Sequence, residues 1–291
     1  MFAYLFTSGI TTGAIYALIA LGVVILYRAS DVVNFSHGEQ IMLGGFFAYS
    51  FHLLADFAYV PAVLLAVMGA AAIGLLTFYV AFRPLIQQGM MSILLATLGL
   101  SYVLKGGARY FWGGSGDYLA FPPAFQPTTV ELGPVMVMPQ QLLVVGAAAV
   151  ILLAFTLFFN LTRIGKWMQA AAGNMKAARL SGVPVERVFL YTFAISAALS
   201  GAAAVLMAPL TLLYPDMGFL LFLKGFAAAV LGGLNSLRGA VLGGLLMGVI
   251  EQLAAGYLHT GLQELSAFLV IMAMLVLLPR GLLGGAEARR V

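Results

Sequence analysis

Few groups in this chain can do chemistry. Its 291 residues include three histidines, ten acids and no cysteine. A thiol nucleophile, a disulfide and a cysteine-bound metal are therefore excluded. His37, His52 and His259 are scattered and do not form a metal-ligand set. There is no G-x-x-x-x-G-K-S/T run to cradle a nucleotide, no H-E-x-x-H pair and no G-x-S-x-G elbow. The chain is read as carrying no covalent catalysis, no cofactor and no metal of its own. Its polar residues gather instead in three short stretches, and Glu251 stands alone in an apolar run.

The first stretch runs from Arg28 to Glu39 and contains Asn34, Ser36 and His37. Ser36 and Glu39 have capping-box spacing, and an acid at a helix start also complements the helix dipole. The alternative is that Asn34, Ser36, His37 and Glu39 line the mouth of a pathway. In the second stretch, Asn174 has the chemistry of an N-cap, Gly182 suits a left-handed C-terminal position and Pro184 prevents continuation. A short helix over Asn174–Ser181 is predicted, with Ala177 and Ala178 keeping it slim. Together with Gly173, Lys176 and Arg179, it either inserts into a groove on a partner or rests on anionic headgroups. In the third stretch, Gly232-Gly233 and Gly243-Gly244 flank a turn containing Asn235, Ser236 and Arg238. This reads as a helix broken near the membrane surface or as a tight hairpin between two short spans. Glu251 at mid-membrane would cost ~2.5–3.5 kcal/mol, so it must face the bundle or a wet cavity.

The elements that position these groups follow from composition. Hydrophobic residues make up 63% of the chain and charged residues 8%, against about 25% charged in soluble domains. One core could not hide that apolar surface, which argues against soluble enzymes, disordered chains and nucleic-acid readers. Charge-free runs predict spans over 2–27, 57–82, 84–104, 132–162 and 188–215. Shorter apolar runs cover 41–55, 225–237, 239–250 and 265–279. The expectation is an all-α polytopic membrane protein with about eight to nine transmembrane segments, some short or broken. It forms a single transmembrane domain over 1–291, with an external loop at 105–139 and a cytoplasmic loop at 160–187. With Met1 outside, eleven of the fourteen Lys and Arg residues fall on inner loops, leaving Lys105, Arg109 and Lys224 outside. The positive-inside rule then puts the N-terminus outside and the C-terminus in the cytoplasm. Small residues four apart (Gly9/Gly13, Ala66/Ala70/Gly74, Gly239/Gly243, Gly244/Gly248) allow close helix packing. No internal repeat is visible.

The order of the motifs resembles the LivH side of the membrane subunits of ATP-binding-cassette importers for branched-chain amino acids. The stretches are Gly13–Gly22, Val33–Glu39, Arg83-Pro84, Ala96–Leu100, Ala227–Gly244 and Pro279–Leu283. The family's frequent "N-R-E-A-A" is replaced here by Asn174-Met-Lys-Ala-Ala178, with Lys176 in place of the acid. The resemblance implies a multi-pass permease of the bacterial inner membrane with no enzymatic activity of its own. It implies a second, LivM-like permease, two cytoplasmic ATPase subunits holding ATP and Mg, an external solute-binding protein and surrounding membrane lipid, with no nucleic acid. The helix over Asn174–Ser181 becomes the coupling helix. The solute would be a branched-chain amino acid or a related small polar or carboxylate solute. An ion-coupled secondary transporter is the alternative, for which only Glu251 offers a site.

Overall fold

Small residues decide which helices touch. The computed structural model describes residues 1–86, 88–113, 118–126, 128–132 and 135–284. In chain order the helices are α1 (Phe2–Ser30), α2 (His37–Tyr49), α3 (Tyr59–Thr77), α4 (Met90–Trp112) and α5 (Pro139–Leu161), then α6 (Arg163–Gly173) and α7 (Met175–Leu180), then α8 (Val185–Met207), α9 (Met217–Gly232), α10 (Leu237–Tyr257) and α11 (Leu262–Leu277). A short antiparallel ribbon, β1 (Val130–Leu132) with β2 (Val135–Val137), lies between α4 and α5. Single π-helical turns, Ser50–Leu54 and Phe78–Phe82, extend α2 and α3.

Six helices among the described residues are long and apolar enough to cross a membrane: α1, α3 with its extension to Leu85, α4, α5, α8 and α10. The apolar helices α9 and α11 have 16 residues each, about 24 Å, short of a ~30 Å hydrocarbon core. With 13 residues, α2 is shorter still, about 20 Å.

From Gly13 to Leu26 every residue of α1 is buried, and this stretch forms the axis of the bundle. It packs on α10 backbone to backbone: a Cβ at Gly13 would lie 2.8 Å from Leu245 Cα, and Cβ atoms at Gly244 and Gly248 would strike Ala17 and Gly13. The same device joins α3 to α8, where Gly74 faces Phe193 and Ala197, and Gly201 faces Ala70. In lipid, such contacts gain dispersion energy that bulkier side chains would prevent.

These pairings expose a repeated plan. The segments α1–α4 and α8–α11 each run as a long helix, a short connection, a short helix and two further helices, and α1 and α8, which open them, run antiparallel. The contacts match: α1 with α10 and α8 with α3, α2 with α8 and α9 with α1, and α2 with α9 at the centre. Inverted repeats of this kind build two-sided cavities in membrane transporters.

Three boundaries differ from the sequence expectation. Because α4 continues to Trp112, Lys105 and Arg109 are helical and the connection to α5 starts at Gly113. Lys224 lies inside α9, so it is not a loop charge. The chain between α9 and α10 makes a tight turn at one end of the bundle. The breaks within the bundle fall before α2 and before α9.

Candidate functional site

The break before α2 is built by two residues. Asp31 adopts φ 54°, ψ 16°, and its N–H donates to Tyr27 O at 2.7 Å, ending α1. Asn34 Oδ1 then accepts from both Ser36 N (3.0 Å) and Ser36 Oγ (2.7 Å), an Asx turn that aims the chain into α2. Ser36 therefore makes no cap bond to α2, and the predicted capping box does not form. His37, the first residue of α2, is almost fully buried. Its Nε2 lies 2.7 Å from Ser200 Oγ, and Ser200 also donates to Ser196 O at 3.0 Å. The Ser200 hydroxyl and Nε2 form one hydrogen bond whose direction follows the imidazole tautomer. Ser196 Oγ donates to Gly22 O at 2.8 Å. A Cβ at Gly22 would lie 3.2 Å from the imidazole, so this glycine makes room for the ring.

Glu39 pairs with α4 and makes no cap bond to its own helix. Its Oε1 accepts from Ser101 Oγ at 2.9 Å and lies 3.8 Å from Lys105 Nζ. Lys105 is also 3.2 Å from Asp216 Oδ1, and Arg109 donates to Asp216 Oδ2 at 2.8 Å. Asp216 precedes α9, so this chain of charges ties the starts of α2 and α9 to α4. Burial pushes the Asp216 carboxyl up, but the hydrogen bonds and charges of Arg109 and Lys105 outweigh it and hold the group below the usual range. At the same place Gly38 and Gly218 cross: a Cβ at Gly38 would lie 2.8 Å from Gly218 O. Gln40 Nε2 donates to Thr77 Oγ1 at 3.0 Å, fixing α2 to α3.

A second polar cluster lies between α1, α9 and α10. Glu251 is fully buried, and its Oε1 accepts from Lys224 Nζ at 2.7 Å. The ammonium also sits 5.9 Å from the centre of the Tyr16 ring, at cation–π range. This pair lies beside a cavity of about 400 Å³, of which Lys224 and Tyr16 form part of the lining.

The third region is the α6–α7 turn. Thr162 Oγ1 caps Gly165 N at 3.0 Å, and Asn174 Oδ1 caps Ala177 N at 3.0 Å. Gly182 has φ 81°, the left-handed position read from sequence. Gly173, Asn174, Lys176, Ala177 and Arg179 are exposed. Ala178 is buried, with its carbonyl accepting from Val183 N. The exposed slim position is thus Ala177, and Leu180 beside it is 90% exposed.

The predicted pathway residues therefore separate into three places. Asn34, Ser36, His37 and Glu39 form one cluster, and Glu251 belongs to the second. Gly232, Gly233 and Asn235 close the α9–α10 turn. There Gly233 has φ 105° and Leu283 N donates to Gly232 O at 3.0 Å. Asn235 borders a separate cavity of about 500 Å³ with Arg28, Asn160 and Arg238. Among the described residues, no group of three or more His, Cys, Asp or Glu could hold a metal ion.

Sequence reasoning did not single out Ser101, Lys105, Arg109, Asp216 or Lys224 as partners of these acids. One signal was available. Thr97, Ser101, Lys105 and Arg109 recur every four residues, a polar stripe on one face of α4. Thr97 belongs to it structurally, accepting from Phe35 N at 3.4 Å.

A family model described as the permease component of a branched-chain amino acid transport system matches residues 5–278. The high-affinity branched-chain amino acid transport system permease protein LivH of Escherichia coli K12 is 31% identical, over 98% of this chain and 96% of that protein. BraD of Pseudomonas aeruginosa, a permease protein of the same description, is 32% identical over the same shares. The ribose import permease protein RbsC of Escherichia coli K12 is 27% identical, over 91% of this chain and 81% of that one.

Proposed function

The chain belongs to the family of branched-chain amino acid transport permease components, and we propose that it is the LivH-type subunit of an ATP-driven importer in the bacterial inner membrane. The near full-length identity to LivH and BraD carries this reading. The partners are a second permease, two cytoplasmic ATPase subunits that bind ATP and Mg, and an external solute-binding protein. The solute is a branched-chain amino acid or a close chemical relative. In this arrangement Met1 faces outside, the 113–138 connection meets the binding protein, and α6–α7 meets an ATPase.

The coupling assignment draws support from shape and chemistry. Caps at both ends make α7 a rigid element that can transmit a push. Leu180 presents an exposed apolar side chain among the polar residues of the turn, which a groove on a partner would take out of water. Lys176 and Arg179 steer docking and matter less, because exposed ion pairs are worth ~0–1 kcal/mol.

The test is ATP-dependent uptake by the reconstituted complex. Leu180→Asp places a charge in the ATPase groove and should reduce co-purified ATPase and uptake by about tenfold, the effect of ~1.4 kcal/mol. No span is altered, so the permease should still insert. Uptake driven by an ion gradient without ATPases, and abolished by Glu251→Gln, would instead establish the secondary-transporter alternative. The pairing of Glu251 with Lys224 weighs against that alternative, since the acid already has a cation.

A further inference from the structure

Where α1 and α5 end and α10 begins, the chain leaves a cavity of about 500 Å³. Its polar and apolar linings are sorted by depth. Arg28, Asn160, Ser236 and Arg238 lie at the helix ends. Leu21 lies about two turns deeper along α1, and Phe155 and Leu242 lie about one turn deeper along α5 and α10. The three helices thus place charge at the membrane edge and hydrocarbon toward its interior, the profile of an amphiphile. Leu242 is 48% exposed and little of α5 is buried, so the apolar end opens toward the bilayer. The polar end is cationic. Among the described residues no acid lines it, and neither guanidinium enters an ion pair. Ser236 Oγ accepts from Gly239 N at 3.0 Å and keeps its own proton to donate. The N–H groups of Leu237 and Arg238, in the first turn of α10, have no acceptor within the helix. Two cations and a row of donors beside an apolar wall are costly without a counter-charge.

We propose that this cavity holds one anionic phospholipid of the bilayer, with its phosphodiester bound by Arg28, Arg238 and the first turn of α10 and its first acyl methylenes lying on Leu21, Phe155 and Leu242. The charge selects the class. A choline or ethanolamine headgroup brings an ammonium that no lining carboxylate receives. A phosphoglycerol headgroup brings a net negative charge, and basic pockets between spanning helices accept such headgroups. Arginine suits the phosphate because its planar fork makes paired, charge-assisted bonds to two oxygens. The bound lipid fastens α1, α5 and α10 together at the end of the bundle where α6 follows α5. The inference depends on the chain lying in a bilayer and not on the solute it moves.

The full-length chain, stripped of lipid in detergent, is titrated with dioleoylphosphatidylglycerol or dioleoylphosphatidylcholine, and bound lipid is read by native mass spectrometry. The first phosphatidylglycerol should bind about tenfold tighter than the first phosphatidylcholine. The paired change Arg28→Gln with Arg238→Gln should bring the two lipids to equal affinity. Leu242→Trp keeps the charge but fills the apolar wall, and should weaken phosphatidylglycerol by about tenfold. Excess glycerol phosphate, which carries the phosphate without acyl chains, should displace neither lipid. Arg238 and Leu242 are exposed, so if the paired arginine variant does not fold, Arg238→Gln and Leu242→Trp decide. Equal affinity of the unmodified chain for the two lipids would overturn the site. So would a preference for phosphatidylglycerol that survives the arginine changes. Displacement by glycerol phosphate would show a site for soluble phosphates and overturn the lipid assignment.

Discussion

The short helices α2 and α9 start against each other, and they are held there by different chemistry. At the start of α2 neutral bonds predominate, and its one charge, Glu39, reaches Lys105 at 3.8 Å. His37 is locked by Ser200 and flanked by Ser196, and the Asn34 turn fixes the approach, all out of contact with solvent. The start of α9 is ionic. Asp216 is bound by Lys105 and Arg109 of α4, and its side chain is about half exposed. Neutral bonds in a dry interior hold one geometry and resist salt. Charges at an exposed edge can exchange partners and are screened. The two halves of the inverted plan should therefore differ in stiffness at the point where they meet. Both are tied to α4, α2 through the buried Glu39 and α9 through the half-exposed Asp216, whose pairs can be remade.

The crossing itself should be indifferent to that contrast and should give the largest effect. Gly38 and Gly218 each occupy the space a partner Cβ would need. Gly38→Leu or Gly218→Leu must separate the helices, and overpacking of this kind costs about 1–3 kcal/mol or more. Both variants should lose monodisperse protein in detergent size-exclusion profiles. Tolerance of one and not the other would show that the two helices do not share a single contact.

The neutral anchor comes next. Ser200→Ala leaves His37 Nε2 without its partner in a buried site, which costs about 1–3 kcal/mol. Thermal unfolding of the nanodisc-embedded protein should shift down by the same amount at low and high salt. A salt-dependent shift would contradict the neutral description of the α2 start.

Much of this was legible in the sequence, and the reasons for the rest are physical. The Asn174 cap, the Gly182 stop and the close approach at Gly13, Gly244 and Gly248 follow from local residue chemistry and spacing. What failed was the treatment of charge inside apolar runs. Lys105, Arg109 and Lys224 read as loop residues because an unpaired cation in lipid is costly. Their partners Glu39, Asp216 and Glu251 lie 27 to 111 residues away in sequence, which no local window sees. The inverted plan was equally hidden. It survives in helix order and in small residues at matching contacts, Ala70 and Gly74 on one side and Gly244 and Gly248 on the other, and not in residue identity.

The smallest expected effect tests the ionic side. Asp216 is held below the ordinary carboxylate range, with burial opposing and Arg109 and Lys105 prevailing. A depressed folded-state pKa contributes stability above the unfolded value of about 3.9, and that contribution fades as pH falls through the folded value. The pair with Arg109 is exposed on both sides, 45% and 55%, so its worth belongs to the ~0–1 kcal/mol of surface pairs. Asp216→Asn should therefore lower the unfolding temperature slightly at pH 7 and low salt. The difference should shrink at about 1 M salt, where the Debye length is ~3 Å, and again below pH ~3.9, where the unfolded carboxyl is protonated. A loss of several kcal/mol, insensitive to salt, would mean that Asp216, Lys105 and Glu39 act as one buried unit. The α9 start would then be as rigid as the α2 start, and the contrast between the halves would disappear.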